Sequence, residues 1–198
     1  MNDTFLTLNA LCEGIYKEKG SKFLSFAMPV CDAKTAMETV KEYRKRFYDA
    51  RHVCFAFKIG TEKSETRAND DGEPSGTAGQ PILGQINAAN LTNVLIIVVR
   101  YFGGVLLGTG GLHQAYKTAA ADALFNGKII EQIIENQINI AFEYPILNSV
   151  MKIAKDFDLK ITTLNLENNC TMQIAVRESL AAIVTQKLTE TNGVVLQH

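Results

Sequence analysis

The chain has 198 residues, 46% apolar and 21% charged, with 20 Lys and Arg against 21 Asp and Glu for a net charge of −1. That balance excludes disordered, collagen-like and mucin-like chains and fits one large domain or two small ones. It also excludes a protein that grips phosphate backbones over a wide surface, so any nucleic-acid contact is confined to a local patch.

Residues 1–11 carry Asp3 and no basic stretch, which predicts no secretory signal, and the longest apolar run, residues 94–99, is far too short to span a bilayer. The four cysteines, Cys12, Cys31, Cys54 and Cys170, stand at least 19 residues apart with no C-x-x-C pair. They predict buried, reduced thiols in a cytoplasmic protein, with neither disulfides nor a metal.

In chain order, residues 15–16 and 23–28 read as strands joined by a turn at Glu18, Lys19, Gly20 and Ser21. Asp32 opens a helix in which Ala33, Ala36, Met37, Val40, Tyr43 and Phe47 recur at helical spacing. Residues 52–59 read as a strand, 60–78 as a polar loop, and Pro81 as the start of a short helix. Residues 94–99, VLIIVV, read as a strand covered on both faces. Gly103 and Gly104 turn the chain into a helix that begins near Thr109, buries Leu112, Ala115, Tyr116, Ala119 and Ala123, and ends on an Asn126-Gly127 cap.

Residues 128–137 read as a join. Beyond it, strands at 138–142, 159–166, 170–176 and 194–196 alternate with helices begun by Pro145 and capped by Ser179, and Asn168-Asn169 reads as a hairpin turn. The order is βαββαβ, that of ferredoxin-like folds. Residues 1–136 hold 15 basic and 15 acidic side chains and residues 137–198 hold 5 and 6, so neither part is a basic nucleic-acid module.

Nine of the 14 glycines lie between Gly72 and Gly111, marking two loops that could carry chemistry. The first, residues 69–81, holds Asp70, Asp71 and Glu73 and then Ser75, Gly76, Thr77 and Gly79 ahead of a helix. Its carboxylates could take a hard cation or form a solvated acidic turn, and its second half offers amides to an anion at a helix start. The second, residues 100–117, has Gly103, Gly104, Gly108, Gly110 and Gly111 between a strand and a helix. It satisfies neither the Walker A nor the dinucleotide pattern, since no Lys-Ser/Thr follows and position 113 is His. Its glycines either hold a phosphate or carboxylate or let helix and strand pack closely. Arg100 ends an apolar strand and therefore either pairs with Asp70, Asp71 or Glu73 or meets a ligand. A Ser75–His52–Asp70 hydrolase is conceivable, although the G-x-S-x-G elbow is missing.

HVCFAF at 52–57, DDGEPSGTAGQPIL at 70–83 and VVRYFGGVLLGTGGL at 98–112, followed by Ala115-Tyr116, resemble the signature of the YigZ/IMPACT family. The resemblance implies an α+β protein of two domains. Residues 1–130 would form an IMPACT N-terminal domain of the ribosomal-protein/ribonuclease PH kind, containing a left-handed βαβ crossover. Residues 137–198 would form a ferredoxin-like domain similar to the end domain of elongation factor G. Eukaryotic members regulate translation by interfering with activation of a starvation-sensing kinase. The signature carries over His52, Asp70, Asp71, Glu73, Ser75, Gly76, Thr77, Gly79, Arg100, Tyr101, Gly103, Gly104, Gly108, Gly111 and Tyr116 as ligand-binding residues. His113-Gln114 departs from the apolar-then-basic pair of many relatives.

The function expected is a binding or regulatory factor without a cofactor, contacting RNA, the ribosome or a translation-associated protein. Glycine-lined helix starts near 79–81 and 109–112 would present amides, Arg100 would add charge, and Tyr101 and Phe102 could stack on a base or pack in the core, with packing expected of Phe102. The alternative is a hydrolase or phosphate-handling enzyme using the Asp70–Glu73 carboxylates and His52.

Overall fold

The computed structural model describes residues 3–167 and 169–197. They divide into two compact units, Phe5–Gln132 and a second comprising residues 3–4 with 133–197.

The first unit is built on a five-stranded sheet in which every neighbouring pair is antiparallel. Its strands are β2 (Cys12–Glu18), β3 (Ser21–Pro29), β4 (His52–Ile59), β5 (Glu65–Asn69) and β6 (Val94–Tyr101), in the order β2-β3-β6-β4-β5. The central strand β6 is buried from Val94 to Arg100 because helices cover both faces. Val94, Ile96 and Val98 pack with Ile82 and Ile86 of α2 (Gly79–Ala88) and with Leu112, Ala115 and Tyr116 of α3 (Gly108–Phe125). Leu95, Ile97 and Val99 pack with Ala36, Val40 and Tyr43 of α1 (Ala33–Arg46). Period-two alternation thus assigns successive side chains to opposite layers, and Arg100 falls in the layer of Val98.

Asp32 caps α1 as expected, its carboxylate accepting from the Thr35 amide at 2.7 Å. That amide, the Cys31 thiol and the Thr35 hydroxyl hold the carboxyl down at about 2. Cys31 is therefore an exception to the expected burial of thiols: it is exposed beside the cap, while Cys12, Cys54 and Cys170 are buried, and all four are free.

Other expectations are corrected. The polar loop at 60–78 contains β5, an exposed edge strand whose ETRAN sequence lacks the apolar alternation that would reveal it. The join contains β7 (Ile129–Ile133), which pairs with β1 (Thr4–Leu8). Helix α2 begins at Gly79, two residues before Pro81, whose missing N–H falls among first-turn amides that have no intrahelical acceptor. Asn126 does end α3, but with φ −79° rather than in the left-handed region.

The second unit runs β8 (Glu135–Glu143), a 3-10 turn (Tyr144–Ile146), α4 (Leu147–Asp156), β9 (Lys160–Asn165), β10 (Asn169–Arg177), α5 (Glu178–Glu190) and β11 (Val194–Gln197). Its antiparallel sheet has the order β11-β8-β10-β9. Alternate residues Ile140, Phe142, Cys170, Met172, Ile174 and Val176 bury against Val150 of α4 and Val184 and Leu188 of α5. Ser179 does not cap α5. Arg177 occupies the cap position, and the Ser179 hydroxyl donates to Asp3 at 2.6 Å, which with Arg177 nearby lowers the Asp3 carboxyl below its usual range. The Asn168-Asn169 turn falls partly outside the described residues.

Candidate functional site

The site begins with a row across the sheet. Arg100 of β6 stands opposite Phe23 of β3 and His52 of β4, so the three side chains share one face, at the end where α3 begins. Arg100 reaches Glu73 of the acidic loop, Nη1 to Oε1 at 2.6 Å, with only 6% and 3% of the two side chains exposed. The Tyr116 hydroxyl of α3 donates to the same oxygen at 2.8 Å. The two glycine-rich loops therefore meet through a buried ion pair. Phe23 and Phe102 both lie near the guanidinium, at 5.5 and 5.6 Å from its carbon to their ring centroids. The Arg100 Nε–H is buried and has no acceptor.

His52 Nδ1 lies 2.7 Å from the Asp71 carbonyl oxygen. Because a carbonyl can only accept, that nitrogen carries the hydrogen and Nε2 faces Glu73 at 3.9 Å. Burial, the adjacent Cys54 thiol and Glu73 all push the Tyr116 hydroxyl upward, so it remains a donor. Burial also raises the Cys54 thiol well above the ordinary cysteine range, which keeps it from acting as a thiolate nucleophile.

The three loop carboxylates have separate duties. Asp71 accepts the Val53 amide at 2.6 Å and pairs with Arg44 at 2.5 Å. Asp71 and Gly72 both have positive φ, 45° and 84°, and the chain doubles back there. Asp70 is thereby set against the start of α2, accepting from Gly76 at 2.8 Å, Ala78 at 2.9 Å and Gly79 at 2.8 Å. Burial works to raise the Asp70 carboxyl, and the three amides outweigh it, leaving it below the usual value. The expectation that the helix start at 79–81 offers amides to a ligand is thus corrected: an internal carboxylate already occupies it. The same engagements keep the carboxylates from converging, and no cluster of three potential metal ligands occurs among the described residues. They also leave the Ser75–His52–Asp70 arrangement unassembled, since His52 bonds the Asp71 carbonyl while Asp70 Oδ1 accepts from the start of α2 and Oδ2 from the Gly76 amide.

The start of α3 is different. No side chain caps it, and a Cβ added at Gly104, Gly108 or Gly110 would meet no atom within 4 Å. It borders a half-open hollow of about 380 Å³. Of the expected residues, His52, Glu73, Arg100 and Gly108 line this hollow. Asp70, Asp71, Gly76, Thr77, Gly79 and Tyr116 support it from behind, Thr77 through a 2.6 Å bond to the Pro74 carbonyl. Ser75 is exposed and does not line it. Gly103 donates to Ser21 at 3.2 Å, and Gly111 packs against Leu107. Tyr101 takes the packing alternative: it belongs to the opposite layer, with its hydroxyl on Asp49 at 3.0 Å.

Sequence reasoning did not assign Leu106, Leu107 and Leu112 to the wall. Phe102, expected in the core, is 44% exposed and lies at the rim with Leu106, which is 84% exposed. The consecutive apolar residues of FGGVLL, set among glycines that cannot bury them locally, are the signal that could have pointed there.

Comparison with known proteins places this geometry in a family. The Impact N-terminal domain model matches residues 19–124. The chain is 30% identical to the IMPACT family member YvyE of Bacillus subtilis over 174 residues, 87% of this chain and 80% of that protein. It is also 30% identical to the IMPACT family member YigZ of Escherichia coli over 174 residues, 87% and 85% of the two chains. A crystal structure of a hypothetical protein aligns with TM-score 0.77 and 28% identity over 99% of this chain and 97% of that one. Every segment that builds the hollow, from Arg51 to Leu112, falls within the matched residues, and the chain belongs to the IMPACT family.

Proposed function

We propose that this protein is a non-enzymatic binding factor linked to the regulation of translation, recognising an anionic group on RNA, the ribosome or a translation-associated protein through the hollow at the start of α3. The observation that carries the reading is the uncapped, glycine-lined helix start beside the hollow, with Arg51 and Arg100 in the same wall. First-turn amides and the helix dipole favour negative charge there. The translation link rests on the family resemblance, whose eukaryotic members regulate translation. The strand order β11-β8-β10-β9 and the βαββαβ connectivity support a ferredoxin-like second unit. The all-antiparallel sheet with helices on both faces is offered as the ribosomal-protein/ribonuclease PH kind of first unit. Among the described residues no helix is long and apolar enough to cross a membrane, which fits the cytoplasmic location this reading requires.

The test is recovery of the protein from lysate with and without nuclease, followed by ribosome sedimentation, for wild type and an Arg51→Ala/Leu106→Asp variant. Both substituted residues are exposed, so the fold tolerates the change. Association of wild type with translation components, lost in the variant, is expected. Equal association of both removes the hollow from the reading.

A further inference from the structure

We infer that the hollow binds a ribonucleoside phosphate, whose vicinal sugar hydroxyls donate to Glu73 and His52. The inference rests on the reading of the hollow as an anion-recognition site and names the ligand, but its evidence lies away from the start of α3. Arg100 Nη1 and the Tyr116 hydroxyl both donate to Glu73 Oε1, at 2.6 and 2.8 Å, and Oε2 receives neither. The His52 Nδ1–H is engaged by the Asp71 carbonyl, which leaves Nε2 as an acceptor 3.9 Å from Glu73 Oε1. The fully enclosed side-chain polar atoms without a partner among the described residues are Ser25 Oγ and Arg100 Nε. Glu73 Oε2 and His52 Nε2 are not among them and neither takes a hydrogen bond, so both keep open surface. Their side chains are only 3% and 14% exposed and both residues line the hollow, so that surface lies within it. Two acceptors held there without donors call for a ligand that brings hydrogens.

The surroundings select the donor. A cationic donor would add charge beside Arg100, which already balances Glu73, and beside Arg51 in the same wall. A planar pair of donors that clasps both carboxylate oxygens is disfavoured, because Oε1 already takes two donors. An amino group only donates, whereas the Arg51 guanidinium in this wall needs an acceptor. A hydroxyl does both, and two hydroxyls on adjacent carbons address two neighbouring acceptors. A phosphate on the same sugar meets Arg51. Phe102, 44% exposed at the rim, offers a ring face to the base. The size agrees: about 380 Å³ falls within the roughly 300–1,000 Å³ of small-ligand sites, room for one nucleotide rather than a continuous strand.

The experiment uses the full chain with adenosine 5′-phosphate, its 2′-deoxy and 3′-deoxy forms, inorganic phosphate, and a short RNA beside DNA of the same sequence. Binding is followed by calorimetry and by amide NMR shifts. Adenosine 5′-phosphate is expected to shift His52 and Glu73, and each deoxy form to bind about tenfold or more weakly, the loss of one hydrogen bond. His52→Leu is expected to bring at least one deoxy form within about twofold of the parent nucleotide, the signature of a coupled pair in a double-mutant cycle. RNA binding more tightly than the mononucleotide assigns the source to RNA, and the reverse assigns it to a free nucleotide; either supports the inference. Equal binding of ribose and deoxyribose forms, or shifts away from His52 and Glu73, overturns it. Deoxy penalties unchanged in a folded His52→Leu variant overturn the assignment of the hydroxyls to this pair. Shifts at the α3 amides from phosphate with none from a nucleotide overturn the inference while leaving the anion-recognition reading intact. Silence from every probe overturns it as well, and the lysate association of the Arg51→Ala/Leu106→Asp variant then decides the broader reading separately.

Discussion

The starts of α2 and α3 look alike in sequence, each a helix entered from a glycine-bearing loop, yet one is closed and the other open. At α2 the Asp70 carboxylate takes three amides. At α3 the preceding residues, FGGVLL, include no acidic or hydroxyl side chain, and nothing caps it. The difference shows that glycine near a helix start supplies room, while the availability of the amides depends on whether the incoming loop carries its own anion back to them. Glu73, three residues after Asp70, ties the closed loop to the open one through Arg100.

The largest way to break this arrangement is Arg100→Met, which strands Glu73 in a buried site with Tyr116 as its remaining strong donor. A loss of about 3–5 kcal/mol is expected in denaturant unfolding. A loss below about 1 kcal/mol would show the pair behaving as a solvent-exposed one.

Glycine substitutions compare the two starts directly. A Cβ at Gly79 would lie 2.5 Å from the Asn69 amide nitrogen, a backbone atom that cannot swing aside, so Gly79→Ala is expected to destabilise by roughly 1–3 kcal/mol. Gly110 has open space around it, and Gly110→Ala is expected to stabilise by about 0.5–1 kcal/mol through helix propensity. Paired thermal melts check the opposite signs, and the same sign at both would erase the distinction.

Removing the cap with Asp70→Ala is expected to cost about 1–2 kcal/mol. The pH dependence sharpens this. Asp70 titrates below its unfolded value of about 3.9, so the advantage of wild type over Asp70→Asn is whole above that pH and fades as pH falls through the lower folded pKa. A difference that persists undiminished through the acid limb would mean that the capping bonds do not depend on the carboxylate charge.

The elements legible in the chain were those whose periodicity is complete within a few residues. VLIIVV alternates between two buried layers, α1 carries its apolar stripe with Asp32 as cap, and the second unit repeats apolar residues at strand and helix spacing. β5, β1 and β7 were not legible, because exposed and ribbon strands are specified by pairing partners rather than by burial. For the site, residue identity and proximity in the chain indicated His52, Glu73 and Arg100. The rim residues Phe102 and Leu106 went unrecognised, since a large apolar side chain in a loop reads as core until its surroundings are known.

The amino-acid order alone determined the alternation that buries Arg100 on one defined face, and the carboxylates available to meet it. Only the tertiary structure decided which carboxylate did so and which helix start remained open. Those outcomes depend on where β3, β4 and α3 bring Phe23, His52 and Tyr116 around a single guanidinium. They also depend on the turn at Asp71 and Gly72, which folds Asp70 back onto amides six to nine residues ahead in the chain. Local propensity encodes neither distance, because both are set by packing between segments far apart in sequence.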